Sequence, residues 1–343
     1  MITEPIDIVI PWVDDTDPEW KKERDKYLPE GKKSIETAQY FRDWDTLKYV
    51  FRGIEENMPW IRYIHFLTWG HVPKWLNRCN PKIKIHRHEE FFLNPDDLPV
   101  FNSQAIEMNL LNIPDLAEKF IYFNDDTLVV KPTSPERFFQ NNLPVDYLVL
   151  DVPRGGWLYD HLRVKDPFTY VVRNNIALLN RHFPFKTLRE TNAELFFHQS
   201  YSTLDIWRNR VLSFLGQYKW IKVNHNPQGM LLSNLKQCYK LFRKEMLLTS
   251  KSKFRSFHDL NQYIYRNYAL MTGNFIPQYF GDDFCIVLSS IKRYKKEREQ
   301  FEMKNFICVN DSPFLKAKEY LPLKKMVDDD LQNIFPKKSS FEV

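Results

Sequence analysis

Residues 6–13, Ile-Asp-Ile-Val-Ile-Pro-Trp-Val, form a nearly unbroken β-branched run that ends in Asp14-Asp15-Thr16-Asp17-Pro18. A short apolar run closed by turn residues predicts a buried strand, here one that delivers carboxylates to its C-terminal end. Three further runs follow: residues 63–68, residues 82–86 and Phe120-Ile121-Tyr122-Phe123. Leu47, Val50, Phe51 and Ile54 fall on one face of a helix that starts near Asp45 and stops before Pro59, and a second helix is expected over 103–111. Strands alternating with helices over residues 1–130 predict an α/β fold with a doubly wound, mainly parallel sheet. Ligands of such sheets sit beyond the strand C-termini.

The later chain changes character. With 343 residues it exceeds a usual single core, so a core plus an insertion is expected. Residues 1–185 read as the first part of the core. Residues 186–275 are long, basic and helical in pattern, and read as an inserted accessory lobe. Residues 276–335 return to the core, where Phe306-Ile307-Cys308-Val309 delivers Asn310-Asp311. The polar tail 336–343 is expected to fray.

Composition excludes several classes. The 49 Lys and Arg against 44 Asp and Glu leave +5, too mild to indicate nucleic acid, and no recognition motif accompanies the basic segment. A small anionic substrate fits as well. Cys79, Cys238, Cys285 and Cys308 are scattered without a CxxC pair, which predicts neither a disulfide framework nor a zinc site and suits a reducing compartment. Residues 1–5 lack the pattern of a signal peptide and no window approaches 18 uninterrupted apolar residues, so a soluble cytoplasmic protein is expected. Lys236, Lys240, Arg243, Lys244, Lys251, Lys253 and Arg255 stand against one acid, Glu245. That stretch is either a peripheral contact with the anionic inner face of the membrane or a solvated helix face. A further basic loop lies near Lys32-Lys33.

Candidate chemistry begins with Asn124-Asp125-Asp126, directly after an aromatic strand, where carboxylates would hold a divalent cation on a sugar nucleotide's diphosphate. Mg2+ or Mn2+ takes carboxylate and phosphate oxygens, so two acids would suffice. Neighbouring side chains of an extended segment point apart, and both acids reach one metal only if the chain turns there. The alternative is a plain Asx turn. Trp12, Val13, Asp14 and Asp17 could bind ribose or base, or form a capped turn into a helix at Pro18. Arg42-Asp43 could fork onto a phosphate or form a surface ion pair. His225, in Asn224-His225-Asn226-Pro227, is either a general base or a satisfied polar residue. Arg255 and Asp311 carry the same ambiguity.

Four blocks taken together resemble the Stealth family of sugar-1-phosphate transferases. They are residues 6–17; the long block from Phe41-Arg42-Asp43 through Pro59-Trp60-Ile61-Arg62, residues 68–76, Phe101-Asn102-Ser103-Gln104-Ala105-Ile106-Glu107 and on to Asp126; His225-Asn226-Pro227 with Arg255, Phe257 and His258; and Cys308-Val309-Asn310-Asp311. The chain departs from the family pattern at Asp15, at Trp69-Gly70 and at Gln104. The resemblance implies a GT-A-like fold and transfer of a hexose or N-acetylhexosamine 1-phosphate from a UDP-sugar to a hydroxyl of an oligosaccharide or lipid-linked glycan. UMP would leave and a phosphodiester would form, with Mg2+ or Mn2+, in bacterial capsule or cell-surface polysaccharide synthesis.

It also implies a catalytic set of Asp125, Asp126, His225, Arg255 and Asp311, with Asp125, Asp126 and Asp311 on the metal. Trp12, Val13, Asp14, Asp17, Arg42, Asp43, Asn102, Ser103, Glu107, Asn124 and Asn310 would bind donor. Rival expectations are an ordinary GT-A glycosyltransferase that releases UDP, and a carbohydrate-binding scaffold without activity. The intact catalytic set counts against the second.

Overall fold

The structure, a computed structural model, describes residues 4–28, 42–155, 161 and 167–343. The basic loop near Lys32-Lys33 and Phe41 lie outside the described residues. The strands in chain order are β1 (Ile6–Pro11), β2 (Ile64–Thr68), β3 (Ile83–Arg87), β4 (Lys119–Tyr122), β5 (Thr127–Val129), β6 (Phe139–Gln140), β7 (Leu143–Asp146), β8 (Gln228–Leu231), β9 (Ile276–Pro277), β10 (Asp283–Leu288) and β11 (Phe306–Asp311).

The main sheet runs β3-β2-β1-β4-β8. Its first four strands are parallel, with Ile8 opposite both Ile64 and Ile121, and β8 closes the edge antiparallel to β4. This is the expected doubly wound, mainly parallel α/β sheet. Strand order reverses between β1 and β4, so the crevice for a ligand opens past their C-terminal ends.

Alternate residues of each strand feed two cores on opposite faces. Ile8, Ile10, Phe66 and Ile121 pack with Val50, Phe51 and Ile54 of the Leu47–Asn57 helix and with Leu323, Val327 and Leu331 of the Ala317–Ile334 helix. Val9, Leu67, Phe120 and Tyr122 pack with Val172, Ile176 and Leu179 of the Pro167–His182 helix and with Leu235, Cys238, Phe242 and Met246 of the Leu232–Ser250 helix. Each such side chain contributes about 1.5–3 kcal/mol of transfer free energy. The helical region after residue 186 therefore shares a core with the sheet, and it supplies β8.

One acid interrupts the first apolar run. Asp7 is fully buried, and its carboxylate accepts from Arg62 Nη2 at 2.6 Å and from the Ala117 N–H at 2.8 Å, with His65 Nε2 at 3.1 Å. Burial alone would raise its pKa, but these partners hold it down at about 2.

A smaller sheet, β10-β11-β5, joins the main one at the turn between β4 and β5. There the Val309 N–H donates to the Asp126 carbonyl at 2.9 Å, and Cys308 stands opposite Thr127. The third sheet is β6-β7-β9.

The expected fraying of the tail does not occur. Phe341 is 2% exposed and its ring lies 5.3 Å from that of Phe51. Glu342 accepts from Arg52 Nε and Nη2, both at 2.7 Å. A polar segment reads as loose in sequence, but here one ring and one carboxylate satisfy an apolar slot and a buried guanidinium.

Candidate active site

Asn124, Asp125 and Asp126 follow β4 at the point where the sheet order reverses. The chain turns there, with the Thr127 N–H donating to the Asn124 carbonyl at 3.2 Å. The turn separates the two acids, as alternation along an extended segment would. Asp126 faces His225 and Cys308, and the ligand atoms of these three residues all lie within 4.8 Å of one another. His225 Nε2 is 3.3 Å from Asp126 Oδ1 and 3.1 Å from the Asn124 amide nitrogen. The Cys308 thiol donates to Asp126 Oδ2 at 3.3 Å.

Burial would push the Asp126 carboxyl up, but the His225 charge and hydrogen bonds from His225, Cys308 and Thr127 hold it below the usual carboxylate range. Burial would lower His225, and the Asp126 carboxylate instead raises it to about 9. Asp125 is driven the other way, up to about 7, by burial and by the Asp126 charge beside it. Two adjacent acids are thus set to different protonation states. The imidazole has two settings of its own: protonated, Nε2–H donates to Asp126; neutral, the Nε2 lone pair accepts from Asn124.

The expected metal set of Asp125, Asp126 and Asp311 is not assembled among the described residues. Asp311 lies three residues beyond Cys308 on β11 and so points to the other face. There its carboxylate meets Arg42 Nε at 2.7 Å, and Arg42 Nη2 donates to the Ser312 carbonyl at 3.0 Å. Burial raises the Asp311 carboxyl. Asn310, on the Cys308 face, bonds the Cys285 thiol. Cys285 is paired with Cys308 across β10 and β11, and hydrogen bonding from Cys308 and the His225 charge lower its pKa. Burial raises that of Cys308.

Arg255 stands with Ser103 and Glu107. Its Nη2 donates to Ser103 Oγ at 3.1 Å. Two residues expected at the substrate lie buried. Asn102 is fully buried; it caps the Ser103–Glu107 helix through the Gln104 N–H at 3.1 Å and donates to Asp259 Oδ2 at 2.9 Å, fixing the loop that carries Arg255. Glu107 is 5% exposed, and its carboxyl accepts from the Gln262 N–H at 2.8 Å and the Tyr122 hydroxyl at 3.2 Å. Burial raises it to about 7. In this structure the polar atoms of both are taken up inside the protein.

Past β1, Trp12 stacks on Phe66 with centroids 5.6 Å apart, and Val13 is partly open at 37% exposure. Asp14 Oδ1 accepts from the Thr16 N–H at 2.8 Å, and Asp17 Oδ1 caps the Pro18–Asp25 helix at Trp20 N, 2.8 Å. The capped turn is what the structure contains at these two acids. Asp43 accepts from the Asp45 N–H at 2.7 Å, and its carbonyl takes Lys324 Nζ at 2.8 Å. Burial raises both Asp15 and Asp43, and the Asp14 and Asp43 charges add to the shift at Asp15.

Sequence reasoning did not single out Cys308, Cys285 or His71, whose Nε2 accepts from the Asp14 N–H at 2.8 Å. The signal for Cys308 was available: it precedes Asn310 by two and so shares its face. The residues that flank His225 in sequence, Asn224 and Asn226, border a small open cleft with Gln228, Tyr147, Tyr279 and Asp283, among others.

The chain matches Stealth protein conserved region 1 over residues 4–32 and conserved region 2 over residues 40–146. It is 33% identical to the capsular polysaccharide phosphotransferase WcwK of Streptococcus pneumoniae, over 99% of this chain and 98% of that one. It is 29% identical to the exopolysaccharide phosphotransferase cps2G of Lactiplantibacillus plantarum, over 98% and 96% of the two chains. The solved galactosyltransferase LgtC, in complex with donor and acceptor sugar analogs, superposes over 95% of both chains at 11% identity with a TM-score of 0.40, too loose a likeness to bear on function. Full-length similarity to polysaccharide phosphotransferases, together with both conserved regions, places this chain in the Stealth family.

Proposed function

We propose that this enzyme transfers a hexose or N-acetylhexosamine 1-phosphate from a UDP-sugar to a hydroxyl of a glycan acceptor in capsular or cell-surface polysaccharide synthesis. The observation that carries the reading is the Asp126–His225 pair at the sheet's switch point, in a chain similar along its whole length to polysaccharide phosphotransferases. The acceptor oxygen attacks the β-phosphorus of the donor, its proton passes to His225 Nε2 in the neutral form of the imidazole, whose share grows as pH rises towards about 9, and the P–O bond to UMP breaks. Asp126 stabilises the imidazolium as it forms, which strengthens His225 as a base. The C1–O bond is untouched, so anomeric configuration is kept. Arg42 and Arg255 are the cations that would steady the diphosphate.

The donor set tests the fit of a divalent cation. The Asp126 oxygen suits Mg2+ or Mn2+, whereas the Cys308 sulfur beside it, a thiol that donates to Asp126, is no ligand for either hard cation. A cation bound there would neutralise charge on the diphosphate. With His225 used as base, Asp126 is the acid that holds the metal.

The cleft that Asn224 and Asn226 border suits the acceptor. Tyr147, Tyr279 and Phe280 offer flat apolar faces, and Asn226, Gln228 and Gln278 offer amides, the pairing that sugar rings require. We place the enzyme in the cytoplasm, with the supply of nucleotide sugars. No helix among the described residues is long and apolar enough to cross a membrane. Phosphorus-31 NMR of the glycan product tests the proposal: a phosphodiester resonance is expected, and a lengthened glycan without phosphorus contradicts it and favours ordinary glycosyl transfer.

A further inference from the structure

The Thr203–Leu212 helix and the turn after it expose five large apolar side chains. Leu204 is 60% exposed, Trp207 60%, Val211 41%, Phe214 91% and Leu215 44%. Leu204, Trp207 and Val211 follow helical spacing along one face, and Phe214 and Leu215 continue it. The opposite face fixes the helix in place. Buried Asn209 donates to the Leu148 carbonyl at 2.9 Å and to the Phe196 carbonyl at 2.6 Å, and accepts from the Leu150 N–H at 2.6 Å.

Charge decides what covers this patch. Between residues 203 and 219 the basic residues are Arg208, Arg210 and Lys219, and the one acid is Asp205. Asp205 is 3% exposed and faces inward, 3.2 Å from Arg208 and 3.4 Å from Lys222. Arg208 is paired with Asp205 and with Asp151 at 3.9 Å, so the charges that the solvent side presents beside the apolar groups are those of exposed Arg210 and Lys219. A second copy would bring the same sign and be repelled. An anionic headgroup layer supplies the opposite sign, with an apolar layer beneath it for Trp207 and Phe214.

We propose that Leu204, Trp207, Val211, Phe214 and Leu215 dock the enzyme on an anionic phospholipid bilayer. The basic stretch 236–255 is not that contact: Leu235, Phe242 and Met246 of its helix are spent in the core, and what it shows to solvent is a charged face with isolated Leu241 and Leu248. On its inner side the docking helix packs Ile206 against the cluster of Tyr147, Val149 and Tyr201, and Tyr147 lines the cleft that Asn224 and Asn226 border. Docking thus brings that cleft to the lipid surface, where a lipid-linked glycan would lie. This last consequence rests on the acceptor reading above; the docking does not.

The test is co-sedimentation of the full-length chain, without donor or acceptor, with vesicles of phosphatidylcholine alone or mixed with phosphatidylglycerol. The expected result is binding to the mixed vesicles, weakened about tenfold in neutral vesicles or in about 0.5 M salt. A Trp207→Ser/Phe214→Ser variant should lose about tenfold in binding at an unchanged melting temperature. No binding by the wild type, or full binding by that variant, overturns the proposal. So does loss of binding in Lys240→Glu/Lys244→Glu alone, or a dimer that the serine variant abolishes in the absence of vesicle binding. Because no nucleotide sugar is present, failure here is separate from failure of the phosphotransfer reading.

Discussion

His225 Nε2 lies 3.3 Å from Asp126 Oδ1, although the two residues are 99 positions apart in the chain. The pair joins the segment before β8 to the turn after β4, so the antiparallel edge strand is what brings the base to the acid. His225→Ala should lower kcat by about 10²–10⁴, and Asp126→Asn by a similar factor. If the two act as a unit, the double variant loses little more than either single one. Near-normal turnover in His225→Ala, measured at saturating donor, would remove it as the base.

Asp311 answers a different question. It contacts Arg42 and lies on the other face of β11 from Cys308, so Asp311→Asn should loosen the guanidinium and raise the donor KM several-fold with little change in kcat. A fall in kcat as large as that of Asp126→Asn would show instead that Asp311 reaches the reacting atoms.

Glu107 supplies a pH-dependent stability term. Burial raises its carboxyl from 4.5 to about 7, so the folded chain binds more protons than the unfolded one between those values. Stability from this group is greatest below pH 4.5 and falls as pH rises to about 7, by up to about 3 kcal/mol. Glu107→Gln keeps an acceptor for the Gln262 N–H and offers its amide to Tyr122. Relative to wild type, its melting temperature should therefore be higher at pH 8 than at pH 5. An equal difference at both pH values would contradict the assignment.

Arg52 is 7% exposed, and Glu342 is its carboxylate partner. Glu342→Ala leaves a buried guanidinium without a counter-charge, which should cost about 3 kcal/mol in denaturant unfolding. A loss under about 0.5 kcal/mol would mean that the last residues are the loose tail their polarity suggests.

What the sequence made legible follows from periodicity. β1, β2, β3, β4 and the Leu47–Asn57 helix carry regular runs of β-branched, aromatic or helically spaced apolar residues, and they sit where the pattern places them. β5 to β10 were not foreseen: β5, β6 and β9 are only two or three residues long, and β8 reads Gln-Gly-Met-Leu, without a β-branched residue. Among polar residues the limit was burial. Asn102 and Glu107 look like ligand-binding groups in sequence, but an amide that caps a helix and a carboxyl under Tyr122 use the same atoms internally. Cys308 was passed over because cysteines were weighed by spacing along the chain, whereas β11 brings it to Asp126 across 182 positions.

The most direct test of the account is to incubate the enzyme with UDP-hexoses and UDP-N-acetylhexosamines, Mg2+ or Mn2+ and a glycan acceptor, and to separate UMP from UDP by chromatography. Acceptor-dependent UMP, abolished by EDTA, is the predicted result. UDP released in step with acceptor consumption would contradict it, because the bond broken would then be C1–O and the enzyme a glycosyltransferase.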